Sequence, residues 1–264
     1  MFLRSNILRS PHAFSTRNGG VSQLKHTKSL NLAYGRGDGD EIVLENLNIF
    51  AREVGFEPRS VISRPQIHSD KVIKVTEDMG GEGYFIRDDL EGCDGYVTNS
   101  QKVTLGVKSA DCVPILFEAE KDGEIIAVGA VHAGWRGTVA GIAAKCAEKL
   151  CQEYGVEPKN IRAAIGPCIH KCCYEVGDEV VMEAEAQLGA LARQYFDAVE
   201  GKVGKYMLDL AGLNEAILEN CGLLPENVDI IDQCTCCHPE SFFSHRYSGG
   251  VRGTMLSVIF MGNK

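Results

Sequence analysis

The stretch LGVKSADCVPILFEAEKDGEIIAVGAVHAGWRGT, residues 105–138, decides how the chain is read. It holds two apolar runs, VPILFEA (113–119) and EIIAVGAVHA (124–133). Runs that stay apolar at successive positions mark strands covered on both faces. Asp111-Cys112 stands immediately before the first run. The second ends at His132 and leads into Ala-Gly and the chain's single tryptophan, Trp135. Each run thus delivers one metal-competent side chain to its end.

Outward from this pair the strand signals continue. VISRPQIH (61–68), VIKVT (72–76), GYVTNS (95–100) and VTLGVKSA (103–110) lie upstream. IRAAIGP (161–167), VDII (228–231) and MLSVIF (255–260) lie downstream. Helical spacing marks 40–54, with apolar residues at 43, 44, 47, 50 and 54, Asp40 as N-cap and Gly55 as stop. Further helices are read over 138–153, capped by Thr138, over 177–194 and over 208–222. No repeat, low-complexity tract or Pro/Ser-rich linker interrupts this order, so residues 1–264 are expected to form one continuous domain. Adjacent strands with packed helices point to an α+β architecture.

The chain's 264 residues are ample for a core, and 24% charged residues are ordinary for a globular protein. The net charge is −9 and no long Lys/Arg block occurs, which argues against a nucleic-acid surface. Local arginines could still hold a phosphate. No window reaches 18 apolar residues, and the arginine-interrupted N-terminus lacks a signal-peptide h-region. A cytoplasmic protein with no membrane partner is the expectation. Eleven cysteines, an odd number in a chain this long, fit reduced thiols better than a disulfide framework.

Four segments can carry chemistry: Pro65-Gln66-Ile67-His68, Ala110-Asp111-Cys112, the run His132–Gly137, and Ser244-His245-Arg246. Two imidazoles and a thiolate, His68, His132 and Cys112, suit a zinc site with an open position. The spacings are long, so the fold and not a local knuckle must assemble it. The same residues permit a Cys112–His132 thiolate–imidazolium pair for nucleophilic attack. The two readings compete for one sulfur. Cys234-Thr235-Cys236-Cys237-His238 and the trio Cys168, Cys172 and Cys173 also look metal-like. Neither has spaced C-x2-C pairs, crowded neighbours ligate one ion with difficulty, and both are read as buried or incidental thiols. Arg136, in a Gly-flanked turn, and Arg246 are candidate anion contacts. No GxGxxG or GxxxxGK[ST] loop occurs.

In order, FSTRNGGVS, SLNLAYGRGD, PQIHSD, CDGYVTN, KSADCVPILF, AVHAGWRGT, AIGPCI, CCYEV, LDL, DQCTC and FFSHR make the chain resemble the YfiH-like family from about residue 12 to the C-terminus. That family was long labelled multicopper polyphenol oxidoreductase or laccase. Its members are described as purine nucleoside phosphorylases, and one branch as a peptidoglycan-editing factor. The resemblance implies a four-layer α/β/β/α sandwich with mixed sheets, similar to a necrotizing-toxin cysteine deamidase domain. It implies metal ligation, by zinc or by copper, at His68, Cys112 and His132. It implies phosphorolysis of adenosine, inosine, guanosine and methylthioadenosine, with adenosine deamination at the side.

Purine nucleosides and phosphate are then the expected partners of a monomer or small homo-oligomer. Arg64, Arg136, His245 and Arg246 become candidate phosphate or sugar contacts. Asp94 and Asp111 are candidate proton carriers or residues that orient a ligand. A metal-dependent hydrolase acting on cell-wall precursors, or a laccase-like oxidase with bound copper, is the alternative. Seven scattered histidines do not supply a multicopper cluster. The sequence departs from the family at SHRYSGGVRGT (244–254), where Arg252 stands as the displaced basic residue.

Overall fold

The computed structural model describes residues 1–262. Fourteen strands form three sheets among them. The first sheet contains β1 (Phe2–Leu3), β2 (His12–Ser15), β3 (Val61–Ile62), β6 (Thr104–Ser109) and β14 (Met255–Phe260). Their spatial order is β1-β2-β14-β6-β3, antiparallel except for the parallel β3/β6 pair. The second contains β4 (Val72–Lys74), β5 (Gly95–Thr98), β7 (Val113–Lys121), β8 (Glu124–Ala133), β9 (Ile161–Ile165) and β13 (Val228–Ile230). Its order is β13-β9-β7-β8-β5-β4, with parallel pairs at both edges. A small antiparallel sheet joins β10 (Glu175–Gly177), β12 (Lys205–Leu208) and β11 (Phe196–Ala198).

Side-chain alternation turns these sheets into layers. On β7, Ile115, Phe117 and Ala119 face α3 (Ile142–Tyr154) and α6 (Leu210–Asn220), packing on Ile142, Cys146, Leu150 and Leu218. Leu116 faces the other way and meets Phe14, Leu105, Val107 and Ile259 of the first sheet. Helix α1 (Asp40–Val54) covers that sheet's outer side, with Val43, Leu47 and Phe50 on Ala13, Leu256 and Val258. Helix, sheet, sheet and helix therefore stack in that order, and the two runs of 113–133 are buried on both faces as their composition requires. Each fully buried Leu, Ile or Phe contributes about 1.5–3 kcal/mol of transfer free energy. Among the described residues no helix is long and apolar enough to cross a membrane.

Several boundaries differ from the sequence reading. The segment expected as one helix from 138 is two, α2 (Trp135–Val139) and α3, because Gly141 at φ 77° breaks the ladder. Thr138 does not cap; its buried hydroxyl accepts from Asn214 Nδ2 at 2.9 Å. Gly39, not Asp40, caps α1, and Asp40 stands in the first turn, where its charge complements the helix dipole. The helix expected over 177–194 is α4 (Asp178–Leu188) and α5 (Ala190–Arg193), divided at Gly189. Only Val61–Ile62 of VISRPQIH is strand. Pro65 has no donor, and the N–H groups of 67–69 bond a side chain, as described below. The small third sheet went unread because its strands, EVG, FDA and KYML, are only three or four residues long, too short to display a period.

Candidate active site

His68, Cys112 and His132 meet at one end of the inter-sheet layer. Their ligand atoms all lie within 4.8 Å of one another. The β7–β8 hairpin places two of them. Its register pairs Pro114 with His132 and Val113 with Ala133, which sets Cys112 opposite Gly134. A bulge makes this possible. Glu120 pairs with Ile125 but Ala119 with Ala127, so Ile126 is an extra residue on β8. Without it every partner beyond the bulge would shift by one, and Cys112 would project from the face opposite to His132.

Gly134 completes the fit. A Cβ there would stand 3.0 Å from the His68 ring, 3.2 Å from Cys112 Sγ and 3.8 Å from the His132 ring. The glycine lets all three groups close on one point.

Asp94, fully buried, joins the two histidines. Gly95 pairs with Val131, so Asp94 continues the ladder beside His132, whose N–H donates to the Asp94 carbonyl at 2.7 Å. Its Oδ1 lies 2.9 Å from His132 Nδ1 and accepts from the His68 N–H at 3.1 Å. Its Oδ2 accepts from the N–H of Ile67 and from the N–H and hydroxyl of Ser69, at 3.2, 2.7 and 2.7 Å. These contacts occupy the carboxylate. They tie Asp94 to both histidine segments. They also hold His68 at φ 58°, a left-handed conformation that needs such anchoring.

The electrostatics follow. Burial pushes the Asp94 carboxyl up, but bonds from His132 and Ser69 outweigh it and bring it to about 2. Burial would raise Cys112, but the His132 and His68 imidazoles draw it down to about 6. Burial would lower His132, but the Cys112 thiolate and Asp94 raise it to about 9. With Nδ1 committed to Asp94, His132 turns its Nε2 toward the sulfur, the arrangement that metal-binding imidazoles adopt.

A cavity of about 410 Å3 opens from the triad. Arg36, Arg64, Arg87, Lys108 and Arg252 line it, and no Asp or Glu does. Arg64 is taken up by Glu82 at 2.5 Å and Arg87 by Asp40 at 2.7 Å. Arg36, Lys108 and Arg252 form no ion pair with a carboxylate among the described residues. Burial lowers Lys108 to about 8. Burial and then the charge of Arg36 lower Arg252 to about 10. The Arg252 Nε is buried without a hydrogen-bond partner. Arg36, Lys108 and Arg252 thus bring three cations to a pocket that no Asp or Glu lines, with the Cys112 sulfur at its edge as the group of opposite sign.

The other expected contacts sit elsewhere. Arg136 lines an adjacent cleft with His68, Ser69 and Asp70, its guanidinium 4.2 Å from the Trp135 ring centre. His245 and Arg246 stand on the short helix α7 (His245–Ser248) and are not among the cavity's lining residues. Arg246 donates to the carbonyls of Cys173 and Glu175 at 3.2 and 2.9 Å. Asp111, at φ 95°, accepts from the Thr235 hydroxyl at 2.6 Å and the Arg246 N–H at 2.7 Å, so it fastens the Cys112 turn to the Thr235 loop and to α7. Arg36 and Lys108 were missed as site residues. Both lie inside the motifs quoted above, but nothing in a lone Arg or Lys separates a pocket cation from a surface one.

The two cysteine clusters, read separately as incidental thiols, come together in space. The sulfurs of Cys172, Cys173, Cys234 and Cys237 all lie within 4.8 Å of one another.

The sequence model described as multi-copper polyphenol oxidoreductase laccase matches residues 11–262. The chain is 37% identical over 251 residues to purine nucleoside phosphorylase YlmD of Bacillus subtilis, covering 94% of this chain and 87% of that protein. It is 34% identical to adenosine deaminase RL5 of an unknown prokaryotic organism, covering 94% and 93%. The crystal structure of YlmD from Geobacillus stearothermophilus superimposes with a TM-score of 0.90 at 32% identity, covering 99% of this chain and 96% of that one. Motif order, layer structure and likeness agree, and the chain belongs to the multi-copper polyphenol oxidoreductase laccase family.

Proposed function

We propose that the chain is a zinc-dependent purine nucleoside phosphorylase that also deaminates adenosine at the same site. The observation that carries this reading is the cavity with three cations that pair with no carboxylate, beside a His2Cys triad. Phosphorolysis needs such a pocket: a phosphate oxygen bonds the anomeric carbon of the ribose while the bond to the purine nitrogen breaks. Arg36, Lys108 and Arg252 would hold the phosphate, and the triad borders the same space.

The donor set fits a borderline-soft ion with an open position, since His68, Cys112 and His132 supply three ligands and Asp94 fixes two of them. Bound there, zinc supplies Lewis-acid polarisation of a phosphate or water oxygen. A multicopper oxidase mechanism finds less support. The triad has the His2Cys donors of a blue-copper centre. The only other group of three or more His, Cys or carboxylate ligands among the described residues is made of cysteines alone.

Arg252→Met tests the phosphate assignment. Losing one charge-assisted contact, worth about 1.5–3 kcal/mol, should raise KM for phosphate roughly 10- to 100-fold while KM for inosine changes little. An unchanged phosphate KM contradicts the placement. Lys108 adds a pH signature. It is cationic below about pH 8 and neutral above. Because kcat/KM reports the free enzyme, its value for phosphate should fall as pH rises through 8, and Lys108→Met should flatten that limb.

A second reading has its own observation. Cys112, His132 and Asp94 form a thiolate–imidazolium–carboxylate chain, the arrangement of a cysteine nucleophile. Chelation separates the two. Activity that survives metal removal, with fast alkylation of Cys112, supports the nucleophile. Activity lost on chelation and restored by zinc supports the metal.

A further inference from the structure

We propose that Cys172, Cys173, Cys234 and Cys237 form a second metal site, which binds one zinc ion as a tetrathiolate and ties two loops together. The Sγ separations are 3.8 Å for 172–173, 3.7 Å for 172–234, 3.5 Å for 172–237 and 3.4 Å for 173–237. A tetrahedron with zinc–sulfur bonds of about 2.3 Å has edges of about 3.8 Å. The four sulfurs therefore stand close to the corners a single tetrahedral ion requires. A polynuclear iron–sulfur core, with several irons and sulfides between the thiolates, would hold at least some of them wider apart. Disulfides would join sulfurs in pairs and give no reason for all four to converge.

Hydrophobic burial does not explain the cluster, because Cys172 and Cys237 are exposed. The backbone does converge on it. Cys168 and Cys234 form a parallel bridge, and the Thr235 N–H donates to the Cys168 carbonyl at 2.9 Å. Each loop so aligned contributes two cysteines. The Cys234 sulfur accepts the N–H of His170 at 3.4 Å and also faces the backbone N–H groups of Cys236 and Cys237. N–H groups turned onto a sulfur stabilise it as a thiolate. The site reaches the active centre through Thr235, bonded to Asp111, and through Arg246, whose guanidinium holds the Cys173 carbonyl while its N–H holds Asp111. Binding converts four thiols and Zn2+ into a complex of charge −2 and releases four protons.

The test is the metal content of the full chain, purified reduced and loaded with zinc. Two equivalents are expected in the wild type. One is expected in the Cys172→Ser/Cys237→Ser double variant, and one in Cys112→Ser. Cobalt loading reads the donor set directly, without any variant. The intense visible bands of a tetrahedral tetrathiolate should appear in the wild type, persist in Cys112→Ser and vanish in the double variant. A wild type whose zinc content the double substitution leaves unchanged, that shows no tetrathiolate spectrum, or that carries these cysteines as disulfides after reduced purification overturns the site. Since Cys112→Ser removes the other ion, failure here is distinct from failure of the phosphorylase reading.

Discussion

Cys112→Ser is expected to abolish turnover while leaving the fold in place. The serine fills nearly the same volume at a half-buried turn, so the layers around it should not move. What it removes is the thiolate that neutralises part of a dication's charge, leaving two imidazoles, one of them on an exposed loop. Metal-ion stabilisation of a developing charge is worth several kcal/mol, so its loss corresponds to roughly a thousandfold or more in kcat/KM. The result to look for is zinc content reduced by one equivalent, activity near background and an unchanged circular dichroism spectrum. Substantial turnover with the serine would place the chemistry elsewhere.

Asp94→Asn should be the most damaging change outside the ligands themselves. The carboxylate accepts from three consecutive N–H groups and a hydroxyl, and pairs with His132. An amide of the same shape offers one acceptor oxygen and turns an NH2 on at least one of those donors. Each buried donor left without a partner costs about 1–3 kcal/mol. The variant should therefore unfold at lower temperature even without metal. Loss of the anchor on His68 and His132 should weaken zinc binding about 10- to 100-fold.

The pH dependence has a definite sign. The folded carboxyl lies near 2, below its ordinary 3.8, so its contribution is present above 3.8 and lost as pH falls toward 2. The asparagine variant should lack that acid limb. A variant with wild-type stability and metal affinity would show that Asp94 does not organise the site.

Much of this was legible in the sequence. The two apolar runs of 113–133, their burial on both faces and the delivery of Cys112 and His132 to their ends follow from composition and period. His68 stood out with them as a third candidate ligand, and the motif order added the four-layer fold. The missing steps are those where one residue changes geometry without changing pattern. Ile126 reads as one more apolar residue of a strand, yet as the bulged residue it decides that Cys112 and His132 share a face. Gly141 and Gly189 divide helices whose apolar spacing runs on across them. Asp94 looks like a turn residue until the β5–β8 register sets it beside His132.

Long-range assembly hid the rest. Arg36, Lys108 and Arg252 come from three distant segments to one cavity. Cys172 and Cys173 lie more than sixty residues from Cys234 and Cys237, joined only by a bridge that no local pattern announces.

The most direct test of the account is the product formed from inosine by zinc-loaded protein in phosphate buffer, followed by phosphorus NMR beside a phosphate-free control. Phosphorolysis predicts ribose 1-phosphate and hypoxanthine in equal amounts, with no base released when phosphate is absent. Free ribose in its place, or intact inosine under both conditions, would contradict it.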